Sequence, residues 1–236
     1  MILPDMTSEQ MMRVLETDRP HIQLFADRYM NGEGKRILRS QHTAIPCTLT
    51  KFFVAPESHQ RYLINYRIAN RHEAYSGITR YYVRAIINTE HGTEAANMLY
   101  DRKDNRMQIV YFQAHLFKRY AERMGLKVHG DDIIRIFTKR NHVLVEASQW
   151  RTEQDCMMLC YDGACFGEIR KDDPYMFRLK TFIATDTMQD DTYRSKLNET
   201  FDGAMCEFYW EQYFHDPEMA EFMMKTTHPR KIKTNN

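Results

Sequence analysis

Long apolar runs are missing from this chain of 236 residues. It contains no stretch of 18 or more consecutive apolar residues, so we expect no membrane-spanning helix and no membrane partner. The first residues also lack a basic segment followed by an apolar one, so the sequence predicts no signal peptide. Because nothing points to export, we expect a cytoplasmic protein.

Glycine and cysteine are scarce, with nine and five residues, whereas there are 14 Tyr and 13 Phe. This balance argues against disorder, and an odd number of cysteines favours free thiols. Cys156 and Cys160 have a spacing that half of a zinc site could use. No second pair of Cys or His lies nearby at ligand spacing, and a closed zinc site needs four ligands. We therefore predict no metal ion and no cofactor.

A strong charge of one sign is absent too, because the net charge is only +1. This value argues against a strongly basic nucleic-acid-binding protein. Residues 181–236 carry six basic and ten acidic side chains, a net charge of −4. A Met- and aromatic-rich helical stripe at 203–225 lies in this acidic part. We interpret the stripe as core or as a surface for a protein partner or for self-association.

Helical and strand-like patterns follow one another in a regular order along the chain. They predict an α+β fold in which an antiparallel sheet packs against a central helix pair, with helical N- and C-terminal segments. We expect one domain, 1–236, whose sub-regions are a helical segment at 1–48, a strand-rich segment at 49–112, a helix-helix-four-strand core at 113–184 and a helical C-terminus at 185–236. The patterns do not decide whether the two strand-rich regions form one sheet.

Turn-forming residues predict where these elements end. Residues 18–20, Asp-Arg-Pro, predict a break after a first capped helix, followed by a second helix from His21 toward Met30. Residues 31–34, Asn-Gly-Glu-Gly, predict the end of that second helix. Asp162 and Gly163 lie between two alternating runs, which is a strong hairpin signal.

One predicted strand alternates basic and aromatic residues, namely Arg80, Tyr81, Tyr82 and Arg84. Mixed surfaces of this kind can stack bases and hold phosphates. They are also common on ordinary sheet faces. RNA is therefore one candidate partner.

The stretch from Ala114 to Leu126, AHLFKRYAERMGL, predicts an amphipathic helix. At about 100° per residue, one side is apolar and consists of Leu116, Phe117, Tyr120, Ala121 and Met124. On the other side, His115, Arg119 and Arg123 follow one another at i, i+4 spacing and form a polar stripe. A titratable imidazole in line with two guanidiniums is the most chemically suggestive arrangement in the chain.

This stripe could cleave a phosphodiester without a metal ion. The imidazole of His115 can act as general acid or base near neutral pH, and Arg119 and Arg123 can hold a phosphate. A strand hydroxyl such as that of Thr181 would complete the site, with a ribose 2′-hydroxyl as nucleophile, which confines the reaction to RNA. The structural alternative is that the arginines pair with Glu122, Asp131 or Asp132 and bridge two helices, while His115 caps a helix or donates to a backbone carbonyl.

Residues 112–184 resemble the barnase–EndoU–colicin–RelE superfamily of metal-independent ribonucleases, many of them bacterial toxins. The likeness consists of the His-x-x-x-Arg-x-x-x-Arg helix, a second helix that opens with Asp, a short antiparallel sheet and a late strand that bears Thr. It implies catalytic roles for His115, Arg119, Arg123 and Thr181 and a bacterial or phage origin.

This chain departs from the toxins in being long and near neutral, whereas they are small and strongly basic. The stretch from Ala114 also looks like uncharacterised bacterial proteins with a His-x-x-x-Arg-Tyr-x-Glu-Arg sequence, and that likeness implies no activity.

Overall fold

The computed structural model describes residues 1–40, 47–68, 80–101, 106–141, 144–147, 152, 154–188 and 194–203. They form an α+β fold, as the sequence predicts. The chain divides into two compact units, Met1–Thr187 and Met188–Asn236, and the second contributes a helix at 194–203 to the described residues. The expectation of a single domain stays a prediction. None of the described helices is both long and apolar enough to cross a membrane.

The first unit contains helices near its N-terminus and in its middle. Near the N-terminus, α1 spans Ser8–Tyr29, a π-helical turn follows at Met30–Gly34, and α2 spans Lys35–Arg39. In the middle of the chain, α3 spans Ala114–Arg123 and α4 spans Asp131–Arg140. A short 3₁₀ turn, Thr185–Thr187, ends the unit.

Nine strands in the described residues form one sheet. In chain order they are β1 (Cys47–Val54), β2 (Arg61–Ile68), β3 (Arg80–Thr89), β4 (Gly92–Asp101), β5 (Arg106–Phe112), β6 (Val145–Ala147), β7 (Asp155–Cys160), β8 (Gly163–Arg170) and β9 (Asp173–Ala184). Their order across the sheet is β1-β2-β3-β4-β5-β9-β8-β7-β6. Neighbours are antiparallel except β5 and β9, whose parallel pairing joins the two strand-rich regions into one sheet.

Helices cover both faces of this sheet. On the first face, the buried side of α1 packs in one core with alternate residues of β2, β3 and β5. On the second face, the apolar sides of α3 and α4 pack in another core with the intervening residues of the same strands and with β7, β8 and β9. Because side chains alternate along a strand, two such cores can share one sheet.

The predicted break at Pro20 is wrong, because α1 continues through this residue. The buried stripe of α1 contacts the first face over its whole length and favours one straight helix. Pro20 lies on the opposite, exposed side. The carbonyl that loses its hydrogen bond there can be hydrated, which lowers the cost of an internal proline. The predicted end of the helix near Met30 is confirmed, because α1 ends at Tyr29. The chain does not break at 31–34, however, since a π-helical turn connects α1 to α2.

The residues of β4 carry no strand pattern, and the sequence does not predict this strand. Its residues include Ala95, Ala96 and Asn97, which have low strand propensity and suggest no strand on their own. In the sheet, β4 lies between β3 and β5, and both alanines are fully buried. Small side chains fit here because β4 is packed against a hydrophobic core on each face of the sheet.

The predicted hairpin at Asp162-Gly163 forms, but the glycine has a different role from the one expected. The turn consists of Tyr161 and Asp162, and Gly163 pairs with Cys160 as the first residue of β8. Gly163 does not have a positive φ. A Cβ at this position would lie 2.0 Å from the carbonyl oxygen of Ile183 in β9. Glycine is therefore required by the close approach of two strands.

We predict that Gly163→Ala destabilises the protein by about 2 kcal/mol or more, because the clashing atom is backbone and cannot rotate away. Gly32→Ala is the matched control, since a Cβ there meets nothing within 4 Å. It should be neutral or mildly stabilising. Urea denaturation followed by circular dichroism measures both, and equal midpoints for the two variants would contradict the explanation.

Candidate functional site

The exposed face of α3 carries three of the four predicted catalytic residues. The helix begins at Ala114, where the Glu94 carboxylate accepts the Ala114 N–H at 3.2 Å and so places negative charge at the helix N-terminus. The apolar residues of α3 are buried in the second core. Burial of that side directs His115, Arg119 and Arg123 toward solvent, and all three are exposed.

The three side chains differ in their contacts. Arg119 donates from Nε to Nε2 of His115 at 3.4 Å. The same guanidinium forms an ion pair with Glu122, with 2.9 Å between Nη1 and Oε2. In the described part of the chain, Arg123 makes no hydrogen bond or ion pair. The structural alternative therefore holds for Arg119, which pairs with Glu122 on its own helix.

The two aspartates that open α4 do not pair with these arginines. Asp131 forms an ion pair with Arg61 of β2, and Asp132 pairs with Arg135. Among the described residues, Glu122 is therefore the one carboxylate that pairs with the arginines of the stripe.

The structure does not bring Thr181 together with the stripe. Thr181 pairs with Phe166 in the β8–β9 ladder, beside a bulge in that ladder. Its neighbour Phe182 points into the second core, beneath α3. Because adjacent strand residues point to opposite sides, Thr181 lies on the other face of the sheet from His115.

A buried carboxylate, that of the turn residue Asp162, organises the end of this region. Asp162, with a side chain only 2% exposed, accepts hydrogen bonds from three neighbours. The hydroxyl of Tyr120 lies 2.6 Å from Oδ2, Arg140 binds both oxygens, and Nδ2 of Asn141 lies 2.9 Å from Oδ2. The N–H of Asp162 donates in turn to Oδ1 of Asn141 at 2.9 Å. The carboxylate thus connects α3, the end of α4 and the β7–β8 turn.

These partners show why Asp162 is structural. A reactive carboxylate needs an oxygen open to a substrate, whereas both oxygens of Asp162 are occupied. The hydrogen bond from Arg140 to Asp162 raises the pKa of this guanidinium further above its usual range. The sequence predicts Asp162 as a turn residue. It does not predict the three partners of the carboxylate, because they are distant in the chain.

We predict that Asp162→Asn lowers the free energy of unfolding by about 3 kcal/mol, because the amide cannot accept all of these hydrogen bonds from a cation, a hydroxyl and an amide. Asp132→Asn is the matched control: Asp132 pairs with Arg135 on the surface of α4, with the aspartate side chain 58% exposed. The control should change stability little. Urea denaturation measures the difference, and a stable Asp162→Asn protein would show that the contacts around Asp162 are replaceable.

Buried tyrosines make the fold sensitive to alkaline pH. Burial raises the pKa of Tyr62, Tyr111 and Tyr120 well above 10, and hydrogen bonds to buried carboxylates raise it further. The folded protein therefore keeps these phenolic protons at pH values where the unfolded chain loses them. The contribution of these protonated tyrosines to the free energy of unfolding is fully present below about pH 10 and is lost as the pH rises beyond it.

We accordingly predict that the urea midpoint falls as the pH rises above about 10. Tyrosinate absorbance should increase together with unfolding, and Tyr120→Phe should weaken the dependence. Full ionisation of all tyrosines near pH 10 in a still-folded protein would contradict this assignment.

Three of the four residues predicted to form a basic and aromatic RNA surface on β3 do not share one face, and the side chain of the fourth, Arg80, lies outside the described part of the structure. Tyr81 belongs to the first face, whereas Tyr82 and Arg84 belong to the second. Arg84 is only 1% exposed. Alternation along the strand separates these residues, and packing of α4 covers the arginine.

The remaining predictions concern the cysteines and the C-terminus. Cys156, Cys160 and Cys165 are buried in the second core. The described residues contain no cluster of three or more His, Cys, Asp or Glu that could hold a metal ion. Apart from Gly203, the stripe at 203–225 lies outside the described residues, so its role as an interaction surface stays a prediction.

Comparison with protein-family models, curated proteins and solved structures finds no match to this chain. The resemblance to the metal-independent ribonucleases therefore stays a prediction, based on the residues quoted for it.

Proposed function

We propose that this protein binds RNA through the exposed face of α3 and cleaves its phosphodiester backbone, with His115 as general acid/base and Arg119 and Arg123 as phosphate ligands. The observation that supports the proposal is the direct contact between an exposed imidazole and an exposed guanidinium. A second guanidinium, that of Arg123, lies one turn further on and pairs with none of the described residues. One helix face thereby offers a proton acceptor and two anion-binding groups.

The contact between His115 and Arg119 suits this chemistry. A guanidinium only donates, so Nε2 of His115 is the acceptor in this contact. At 3.4 Å the hydrogen bond is long, and a ribose 2′-hydroxyl can replace it at low cost. Nε2 is then the atom that takes the hydroxyl proton.

The ion pair between Arg119 and Glu122 does not prevent phosphate binding. Both side chains are nearly half exposed, and surface pairs of this spacing contribute only about 0.3–0.5 kcal/mol. A phosphate that accepts two hydrogen bonds from the guanidinium gains more than this. Arg119 can therefore exchange Glu122 for RNA.

The reaction proceeds by internal transesterification. His115 accepts the proton of the 2′-hydroxyl, the 2′ oxygen bonds to phosphorus, and the bond from phosphorus to the 5′ oxygen breaks. The departing 5′ oxygen takes a proton from the imidazolium or from water. Products are a 2′,3′-cyclic phosphate and a 5′-hydroxyl end. Thr181 has no part in this scheme, because it lies on the other face of the sheet.

End-labelled single-stranded RNA incubated with the protein in EDTA tests the proposal. We expect cleavage by the wild type, at least a hundredfold less by His115→Ala, and none where the 2′-hydroxyl is replaced by hydrogen. His91→Ala is the matched control, because His91 is a 78% exposed histidine in the β3–β4 turn. It should cleave like the wild type.

Thr181→Ala distinguishes the site on α3 from the four-residue site that the sequence suggested. We expect Thr181→Ala to retain full activity and Arg123→Ala to weaken RNA binding. Absence of cleavage by the wild type, or equal cleavage by wild type and His115→Ala, would refute catalysis at α3.

A further inference from the structure

Strands β3 and β4 separate part way along their length. Their ladder runs from Thr89 and Gly92 to Ala85 and Ala96. Beyond the alanines, β3 stays paired with β2 and β4 stays paired with β5, but the described residues of β3 and β4 form no further pair with each other. Continued register would place Arg84 opposite Asn97. The sheet instead opens into a fork, whose closed end is the Ala85–Ala96 pair.

A cavity of about 430 Å³ occupies this fork. Its walls include Tyr82 and Val83 on β3 and Met98 and Leu99 on β4. Consecutive residues of a strand point to opposite faces, so the cavity extends through the gap in the sheet. Its volume falls within the about 300–1,000 Å³ of small-molecule sites, and its lining is mainly apolar, as in such sites.

Helix α1 supplies further walls of the cavity on the first face. Leu15 and Ile22 add apolar surface, and Arg19, which is exposed, adds a positive charge. Among the described residues that line the cavity, none is acidic. The described walls of the cavity are therefore mainly apolar, and Arg19 gives them a positive charge.

The closed end of the fork carries an oriented amide. Arg84 donates from Nε to the Asn97 side chain at 2.8 Å. Because a guanidinium only donates, the atom that faces it must be Oδ1. Nδ2 of Asn97 is then left with its protons, and within the described residues it donates to no protein atom. Asn97 itself lines the cavity.

Behind this amide is a buried positive charge, that of Arg84, for which the described part of the chain supplies no counter-ion. Arg84 donates from Nη1 to Oγ1 of Thr138 at 2.8 Å and lies over the ring of Phe112 at 4.4 Å. Among the described residues it contacts no carboxylate. Burial lowers the pKa of Arg84 to about 10, so the guanidinium is still charged at neutral pH. A buried charge normally has an ionic partner, because burial without one is costly.

We propose that the fork cavity binds an amphipathic monocarboxylate, a ligand with an apolar body and a single carboxylate. The carboxylate accepts from Nδ2 of Asn97 and offsets the charge of Arg84, while Arg19 adds attraction. The apolar body contacts Val83, Met98 and Leu99. This site is separate from the face of α3.

Calorimetric titration of the full chain with decanoate, 2-naphthoate and decanol tests the proposal. We expect at least one carboxylate to bind in one-to-one ratio, and decanol to bind at least tenfold more weakly than decanoate if the body is aliphatic. Whichever of decanoate and 2-naphthoate binds more tightly shows whether the apolar part of the ligand is aliphatic or aromatic. No binding of either carboxylate, or decanol binding as tightly as the better carboxylate, would overturn the proposal.

Asn97→Asp is the most informative variant. It keeps the shape of the side chain, removes the Nδ2 donor and gives Arg84 an internal counter-ion. We expect at least tenfold weaker carboxylate binding, with a thermal midpoint that is unchanged or raised. A folded Asn97→Asp protein that binds the carboxylate like the wild type would contradict the assignment.

Arg19→Ala provides a second test that does not disturb the core, because Arg19 is exposed. Loss of this cation should weaken carboxylate binding by about two- to fivefold. Arg13→Ala is the matched control, since Arg13 is an exposed arginine of α1 that pairs with Glu9 and does not line the cavity. Equal effects of the two substitutions would exclude a local role for Arg19.

Discussion

The buried carboxylate of Asp162 is the interaction on which the second face of the sheet depends. Its hydrogen bonds come from Tyr120 on α3 and from Arg140 and Asn141 at the end of α4. A buried charge is tolerated only when its partners surround it, so both helices must be in place at the same time. This requirement fixes the position of α3, and with it the direction in which the polar stripe of that helix points.

The same packing determines which chemistry the stripe can perform. Phe117 and Tyr120 are held against the sheet, so His115 and Arg119 project into solvent, away from the strands. Thr181 cannot join them, since the bulge in β9 leaves its side chain on the other face. The proposed RNA site therefore consists of one helix face, and substrate must approach it from solvent.

The fork between β3 and β4 shows a different use of burial. Where the ladder ends at Ala85 and Ala96, Arg84 bridges the two strands through Asn97. The guanidinium also binds Thr138 of α4, but its charge has no ionic partner among the described residues. The charge of Arg84 thus lies at the point where the β3–β4 ladder ends. A buried charge needs a partner, so we assign an anionic group to the ligand of this cavity.

The sequence by itself determined the α+β class, the amphipathic character of α3 and the β7–β8 hairpin, because each depends on periodicity or turn residues within a few positions. It did not reveal β4, whose alanines suit a strand only between two cores. It also predicted a break at Pro20 that packing along α1 overrides. The partners of Asp162, the separation of Thr181 from His115 and the burial of Arg84 were decided by tertiary structure, since each depends on residues far apart in the chain meeting across a sheet.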